Sequence, residues 1–264
     1  MLFDALPSLL PEFTPALAAL CALALLAGFV DSVVGGGGLI QLPALFVLMP
    51  GLPPATLLGT NKFCSIWGTS AAAIQYLRRV PPEWRATLPA VIAAFLLALA
   101  GASLATRLAP QLLRPLVLVL LVAVLAYTLW KKELGALHAP RLSGRRELAA
   151  ALGMGGLIGF YDGFFGPGTG SFLLFAFVGL FGFSFLAASA SAKLVNVVTN
   201  AAAALWFGMA GHILYDVALC MAVFNVAGSM AGARLAIRRG SGFVRQAYIA
   251  VVSLLILRFC FDLM

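Results

Sequence analysis

Charged side chains are scarce in this sequence: they make up 10% of its 264 residues, whereas hydrophobic residues make up 62%. Soluble domains carry about 25% charged residues, so the composition excludes an ordinary soluble domain. The short alternating segments of an outer-membrane barrel are also missing. Several apolar runs instead approach or reach the roughly 20 residues that span a bilayer, at 15–34, 88–104 and 112–130. The sequence therefore predicts an all-α polytopic membrane protein.

The sequence also lacks three signals of other protein classes. Residues 1–13 contain no lysine or arginine, whereas a signal peptide begins with a basic region, so we interpret residues 14–34 as a retained first span. The glycine run at 35–38 lacks the G-K-[ST] ending of a phosphate loop. The cysteines show neither metal-ligand spacing nor a disulfide framework, so we expect no metal and no cofactor. They are expected to be small buried apolar residues: Cys21, Cys64, Cys220 and Cys260.

Basic residues give the chain a net charge of +8, but their positions argue against nucleic acid as a partner. They cluster in short loops between apolar runs, at 78–85, 131–146 and 234–245. Positive residues are typical of the cytoplasmic loops of membrane proteins, so these loops are expected inside the cell. The lipid bilayer is thus an expected partner, and the sequence leaves a homo-oligomer open.

A glycine-rich stretch occurs twice in the chain. GFVDSVVGGGG at 28–38 returns as GFYDGFFGPGT at 159–169, which is 131 residues further along. One ungapped register over about a hundred residues indicates two homologous halves. That register aligns aspartates, lysines and glycines: Asp31 with Asp162, Lys62 with Lys193, Gly35 with Gly166 and Gly37 with Gly168.

The loop charges predict that the two halves form an inverted repeat. The loop after the third segment is basic only in the first half, and the loop after the fourth segment is more basic in the second half. This opposite bias puts the halves upside down relative to each other, with both chain termini outside the cytoplasm. We expect a first transmembrane repeat at 1–130, a cytoplasmic linker at 131–147 and a second transmembrane repeat at 148–264.

Each half is expected to contain about five helical segments. The second segment of each half is shorter than the roughly 30 Å hydrocarbon core, so it is expected to be half a helix or a tilted span. The predicted segments lie near 14–34, 39–49, 54–78, 86–107 and 112–130 in the first half, and near 148–165, 170–182, 184–208, 213–237 and 243–263 in the second.

The glycines predict broken or re-entrant helices at the same place in both halves. Four consecutive glycines cannot sustain a membrane helix. Irregular backbone at membrane depth survives only where protein buries it or where it lines a cavity. Helices that restart at Gly38 and Gly170 would direct free N–H groups and a positive dipole end at an anion. The alternative is that the glycines serve only the close approach of helices.

Each half also carries a lysine inside a long apolar span. Such an ammonium is costly in the membrane unless it is paired or hydrated. Residues three and seven positions further on share its helical face, and in both halves they are polar. The sequence thus predicts a polar conduit whose lysines meet an anionic substrate. Its two faces consist of Lys62, Ser65 and Thr69, and of Lys193, Asn196 and Asn200.

Two interpretations of Asp31 and Asp162 stay open. They carry protons for coupling, or they form structural ion pairs, Asp31 with Lys62 and Asp162 with Lys193. The two are compatible, because a pair that opens for substrate or for a proton would be a coupling device. Less informative polar residues are expected to join helices or to be solvated: Gln41, Gln75 and Asn225 as helix contacts, His212 as a solvated residue beside an extracellular turn.

Four stretches carry a resemblance to a known family. They are AGFVDSVVGGGGLIQLPAL, LPPATLLGTNKFCSIWGTSAAAIQYLRR, GFYDGFFGPGTGSF and SASAKLVNVVTNAAAALWFG. Together they resemble the sulfite exporter TauE/SafE family of bacterial membrane proteins. The resemblance implies an inner-membrane permease that moves small sulfur-containing anions, mostly outward. It also implies a substrate role for nine residues: Gly35, Gly36, Gly37, Gly38, Asn61, Lys62, Gly166, Gly168 and Lys193.

We therefore predict a secondary transporter, not an enzyme, that exports sulfite or an organosulfonate across the inner membrane. A passive anion channel, or a permease for another small organic anion, is the alternative. An intramembrane aspartyl protease would need two aspartates that share a proton. It is disfavoured because each aspartate has a lysine in its own half.

Overall fold

The computed structural model describes residues 14–107 and 142–262, with the side chains beyond residue 240 left undescribed except Gln246. Within these ranges the chain forms eight helices and no strand. They are α1 Pro15–Val34, α2 Gly38–Leu48, α3 Pro54–Leu77, α4 Trp84–Arg107, α5 Gly144–Phe164, α6 Thr169–Gly179, α7 Phe185–Met209 and α8 Tyr215–Asp262. The expected all-helical class is confirmed for the described part of the chain.

The helix bounds agree with the predicted segments to within a few residues, with one difference. Helix α5 begins at Gly144, inside the expected linker. The segments expected at 213–237 and 243–263 are two helices that meet at a kink inside α8, at Gly240, where φ is 73°. The segment expected at 112–130 and the linker residues 131–141 lie outside the described residues.

Helix starts follow from local sequence signals. The Thr14 hydroxyl accepts a hydrogen bond from the Leu17 N–H, and Pro15 occupies the first position of α1. The Ser184 hydroxyl caps α7 in the same way by accepting from the Ala187 N–H. Side-chain oxygens at this position satisfy donors that the first helical turn leaves free.

Three helices in the described ranges are long and apolar enough to cross a membrane: α1, α4 and the part of α8 that precedes Gly240. Helices α2 and α6 contain 11 residues each. A helix of that length rises about 16 Å, roughly half of a hydrocarbon core. These two short helices follow the two glycine-rich breaks.

Small side chains face inward where α4 packs on α5. A methyl group on any of three α5 glycines would collide with the α4 backbone, so the two helix backbones lie almost in contact. Small residues allow such packing of helices in lipid. The contacts join Gly155 to Ala90, Gly159 to Ala94, and Gly163 to Ala98. The opposite face of α4 exposes large aliphatic side chains that suit lipid: Leu88, Ile92 and Leu96.

The fourth helix of each half packs on the first helix of the other half. The pairs α1 with α8 and α4 with α5 are the most extensive helix contacts in the described residues. Equivalent positions meet in the two pairs. Gly101 approaches the Phe160 backbone, and Gly232 approaches the Phe29 backbone. Gly232 lies 131 residues after Gly101, and Phe160 lies 131 residues after Phe29. The two halves therefore pack against each other reciprocally, through the fourth helix of each half and the first helix of the other.

The prediction of buried cysteines is confirmed for Cys21 and Cys64, which lie in an apolar cluster between α1, α2, α3 and α8. Cys220 packs against the same cluster but is only partly buried. Cys260 lies outside the described side chains. Among the described residues, no group of histidine, cysteine or acidic side chains could hold a metal ion.

Candidate functional site

Glycines with left-handed backbone lie in the breaks that follow α1 and α5. Helix α1 is capped at its C-terminal end by Gly35, whose φ is 84° and whose N–H donates to the Asp31 carbonyl. The second break contains Gly166 with φ 97° and Gly168 with φ 83°. Side chains other than glycine are strained in this region of backbone space. The glycines thus let each chain turn sharply and restart as α2 or α6.

The two breaks cross each other. The Ser171 N–H donates to the Gly35 carbonyl at 3.1 Å, and the Ser171 hydroxyl donates to the Val34 carbonyl at 2.9 Å. A methyl group on Gly35 would collide with the Gly170 backbone. Close approach, the alternative offered for the glycine run, therefore accounts for Gly35. It does not account for Gly36, where a methyl group would meet only ordinary contacts.

Both lysines form ion pairs across the halves. Lys62 Nζ lies 2.6 Å from Asp162 Oδ1, and Lys193 Nζ lies 2.8 Å from Asp31 Oδ2. The predicted pairs, Asp31 with Lys62 and Asp162 with Lys193, were therefore wrong. Because the breaks cross, each lysine-bearing helix faces the break of the opposite half, and the partners are exchanged.

The two ion pairs differ in their surroundings. Lys193 Nζ contacts both the carboxylate and the backbone carbonyl of Asp31. Lys193 therefore also holds the backbone of the last turn of α1 in place. Lys62 Nζ contacts the Asn200 side-chain oxygen at 3.3 Å besides Asp162, and lies against Gly166. Asp31 is 16% exposed, whereas the Asp162 side chain is 2% exposed. The Lys62 pair is thus the drier one.

The two predicted polar faces meet at the crossing of α3 and α7. The Asn200 amide nitrogen lies 3.4 Å from the Thr69 hydroxyl, and Asn200 is the repeat equivalent of Thr69. It also lies 3.5 Å from the Asn196 side-chain oxygen. Since equivalent residues of the two halves touch here, this crossing lies on the axis that relates the halves.

One cavity brings most of the predicted site residues together. The beginnings of α2 and α6 both contribute to its lining, as do the polar faces of α3 and α7. The predicted residues that line it are Asp31, Gly35, Gly37, Gly38, Asn61, Lys62, Ser65, Thr69, Asp162, Gly166, Gly168, Asn196 and Asn200.

Two predicted substrate-binding residues, Gly36 and Lys193, do not line this cavity. Three further residues do: Thr169, Gly170 and Asn225. Gly170 was predicted only as the start of the second restarted helix, and the position of Thr169 beside it was an available sequence signal. Asn225 was expected only to join helices, and it does so through its amide nitrogen.

Asn225 and His212 have specific partners. The Asn225 amide donates to the Ala24 carbonyl at 3.2 Å and to the Gln41 side-chain oxygen at 2.9 Å. His212 was expected to be solvated, but it is only partly exposed, and its Nδ1 lies 3.2 Å from the Thr56 hydroxyl. The turn before α8 packs so closely on α3 that its backbone contacts Gly59.

Two oxygen atoms of cavity-lining side chains are buried without a hydrogen-bond partner among the described residues. They are Oδ1 of Asn61 and Oδ2 of Asp162. Buried polar groups are nearly always hydrogen-bonded, so each unpartnered one needs an explanation. Both are acceptors, so a donor or a proton would satisfy them.

The family model for "Sulfite exporter TauE/SafE" matches residues 20–259. The chain belongs to the sulfite exporter TauE/SafE family. Its relatives include a "Probable membrane transporter protein ORF9" of Sinorhizobium sp, 36% identical over 93% of each chain. Another is the "Probable membrane transporter protein YfcA" of Escherichia coli K12, 34% identical over 90% of this chain and 87% of the relative. No solved structure matches the chain.

Membership in the TauE/SafE family and the names of the relatives support a membrane transporter of this type. A "Probable membrane transporter protein" of Haemophilus influenzae extends the same likeness, at 33% identity over 93% of this chain and 95% of the relative. The relatives are named as transporters rather than enzymes. The cavity between the crossed breaks is therefore the candidate transport site.

Proposed function

We propose that this TauE/SafE protein is a secondary transporter that exports a small sulfur-containing oxyanion, such as sulfite or an organosulfonate, across the inner membrane. One observation carries the proposal. The buried ammonium of Lys62 lies in the same cavity as the N-terminal ends of α2 and α6. An anion is the ligand that all three features favour.

The electrostatics of this cavity support an anionic substrate. Each helix N-terminus is equivalent to roughly half a positive charge, and the effect is strongest where the end is buried. Backbone N–H groups of these ends are donors of the kind that bind sulfate and phosphate oxygens. The amides of Asn196 and Asn200 and the hydroxyls of Ser65 and Thr69 supply further donors. A compact oxyanion uses many such donors at once.

We also propose that the halves are inverted in the membrane, with the N- and C-termini outside and the 131–147 linker in the cytoplasm. The reciprocal packing of α1 on α8 and of α4 on α5 supports an axis that exchanges the halves. The opposite charge bias of equivalent loops favours an axis in the membrane plane. Broken helices at the interface of such repeats are where transporters of this architecture bind substrate.

This orientation predicts the result of cysteine labelling in intact cells. On a background without native cysteines, Met209→Cys is expected to react with a membrane-impermeant maleimide, because Met209 is 77% exposed near the turn before α8. Arg79→Cys, in the basic loop before α4, is expected to react only after the cells are permeabilised. Labelling of both positions from the same side would rule out the inverted arrangement.

A passive anion channel is the second candidate. The buried ion pairs favour a carrier, because an open pore would hydrate Lys62 and Asp162, whereas both are almost fully buried. A carrier exchanges labelled substrate for unlabelled substrate across the membrane and saturates, while flux through a channel follows the electrochemical gradient alone.

The test of the proposed function is flux in vesicles that contain the purified full chain. Sulfite, sulfate, alkanesulfonates and carboxylates would be compared, with empty vesicles as the control. We expect saturable exchange of sulfite or an alkanesulfonate and little movement of carboxylates. Equal rates in empty and protein-containing vesicles for every anion would overturn the proposal.

A further inference from the structure

We propose that Asp162 is the proton-binding site of the transport cycle, so that one proton moves with each negative charge of the substrate. This inference rests on the proposed function, because it concerns the anion that Lys62 meets. The coupling ion would then be a proton, and the two aspartates, which occupy equivalent positions in the sequence repeat, would have different roles.

Charge balance in the site is the first argument. Two lysines and two aspartates form two pairs with no net charge. The entry of an anion would leave one uncompensated negative charge in a buried site, which is strongly unfavourable. The uptake of one proton by a carboxylate restores neutrality and frees an ammonium for the anion.

The Asp162 carboxylate is buried and only partly satisfied by hydrogen bonds. Its side chain is 2% exposed, it lines the cavity, and its Oδ2 has no hydrogen-bond partner among the described residues. An ionised, unpartnered oxygen repels the oxygens of an incoming anion. The protonated group instead offers an O–H donor at the same place. Protonation thus converts a repulsive neighbour of the substrate into a binding one.

Asp162 and Asp31 differ in what their ion pairs hold in place. The Asp31 carboxylate is held by Lys193, which also holds the Asp31 backbone carbonyl and is not among the cavity-lining residues. Opening that pair would also release the last turn of α1. Opening the Lys62–Asp162 pair releases only side chains, both of which line the cavity. Asp162 is therefore the carboxylate whose ion pair can open without releasing a helix end.

Few other ionisable groups face Asp162. Lys62 faces it from α3 and Asp31 from α1, while Lys193 on α7 is engaged by Asp31. The segments of α2, α4 and α6 place no ionisable side chain in the cavity lining. The neighbouring Tyr161 hydroxyl donates to the Pro167 carbonyl at 2.6 Å.

The step can be written so that charge and atoms balance. A proton from bulk water adds to Asp162 Oδ2, which breaks the ion pair at Oδ1 without breaking a covalent bond. The Lys62 ammonium then pairs with the anion. After the anion leaves on the other side, the carboxylic acid returns its proton to water there, and the Lys62–Asp162 pair forms again.

The test uses vesicles with the purified full chain, a trapped pH-sensitive dye and labelled methanesulfonate. This anion stays ionised throughout the working pH range, so protons that move with it are carried by the protein. We expect about one proton per anion for the wild type. Asp162→Asn is expected to move at least tenfold fewer protons per anion than the wild type, whatever its absolute rate of anion exchange. Asp31→Asn, the matched control, is expected to keep the wild-type ratio.

Several results would overturn the inference. Wild-type anion movement without protons, movement driven by a sodium gradient alone, or a proton ratio unchanged in Asp162→Asn would each do so while leaving the proposed function standing. A wild-type protein that moves no anion would remove the proposed function as well. If Asp162→Asn does not fold, infrared difference spectra of the wild type and of Asp31→Asn decide. We expect methanesulfonate to produce a carboxylic-acid band in both, and its absence from the wild type would refute the assignment.

Discussion

Lys62→Gln is expected to lower anion exchange on the order of 100-fold, since losing a buried charge-assisted contact to an anion costs about 3 kcal/mol. Lys62 is the lysine among the cavity-lining residues, and glutamine is a polar side chain one bond shorter that carries no charge. We expect the variant to fold with a loss of stability of about 3 kcal/mol, because a buried ion pair loses one partner. The measurement is exchange of labelled substrate in vesicles, normalised to the amount of monodisperse protein.

Lys193→Gln is the matched control at the equivalent position of the second half. Lys193 ties Asp31 and the end of α1 but does not line the cavity. We expect exchange within about threefold of the wild type and a loss of stability of about 3 kcal/mol, from breaking a buried pair. Equal loss of exchange in the two variants would contradict the asymmetric site and restore two equivalent lysines.

Gly35→Ala is expected to prevent accumulation of folded protein in the membrane. The left-handed backbone of Gly35 alone costs a non-glycine residue about 1–3 kcal/mol. In addition, the new methyl group would overlap the Gly170 backbone, and a main chain held by hydrogen bonds cannot turn aside as a flexible side chain can. Size-exclusion profiles of detergent extracts of a fluorescent fusion measure the outcome.

The adjacent Gly36→Ala provides the control. A methyl group at Gly36 would lie 3.7 Å from the nearest atom, a Val30 methyl carbon, and the backbone there has an ordinary negative φ. We expect a wild-type elution profile and exchange within a few-fold of wild type. Similar behaviour of the two variants would mean that the breaks do not cross at Gly35.

The helices and both breaks could be predicted because their signals are local. Prolines and hydroxyl residues mark the helix starts, and glycine marks positions that other residues reach only with strain. The sequence repeat shows each signal twice, because Asp31 aligns with Asp162 and Lys62 aligns with Lys193. Most of the cavity lining follows from these residues and from their helical faces.

The ion-pair partners could not be predicted in the same way. Which aspartate meets Lys62 depends on which helices cross, and this is a property of the packed halves rather than of either sequence segment. Contact within one half was the simpler assumption, and the structure exchanges the partners. The difference between Lys62 and Lys193 could not be predicted for the same reason. The repeat alignment pairs the two lysines as equivalent, whereas their surroundings in the packed structure differ.

The main-chain bond from Ser171 to Gly35 has a consequence for how substrate preference can change in evolution. The donor and acceptor of this bond are backbone atoms, so its geometry does not depend on the side chains at Asn61, Ser65 or Asn196. Those lining positions can vary while the crossing of the two breaks stays unchanged. The same architecture can thus present differently lined cavities through a handful of substitutions.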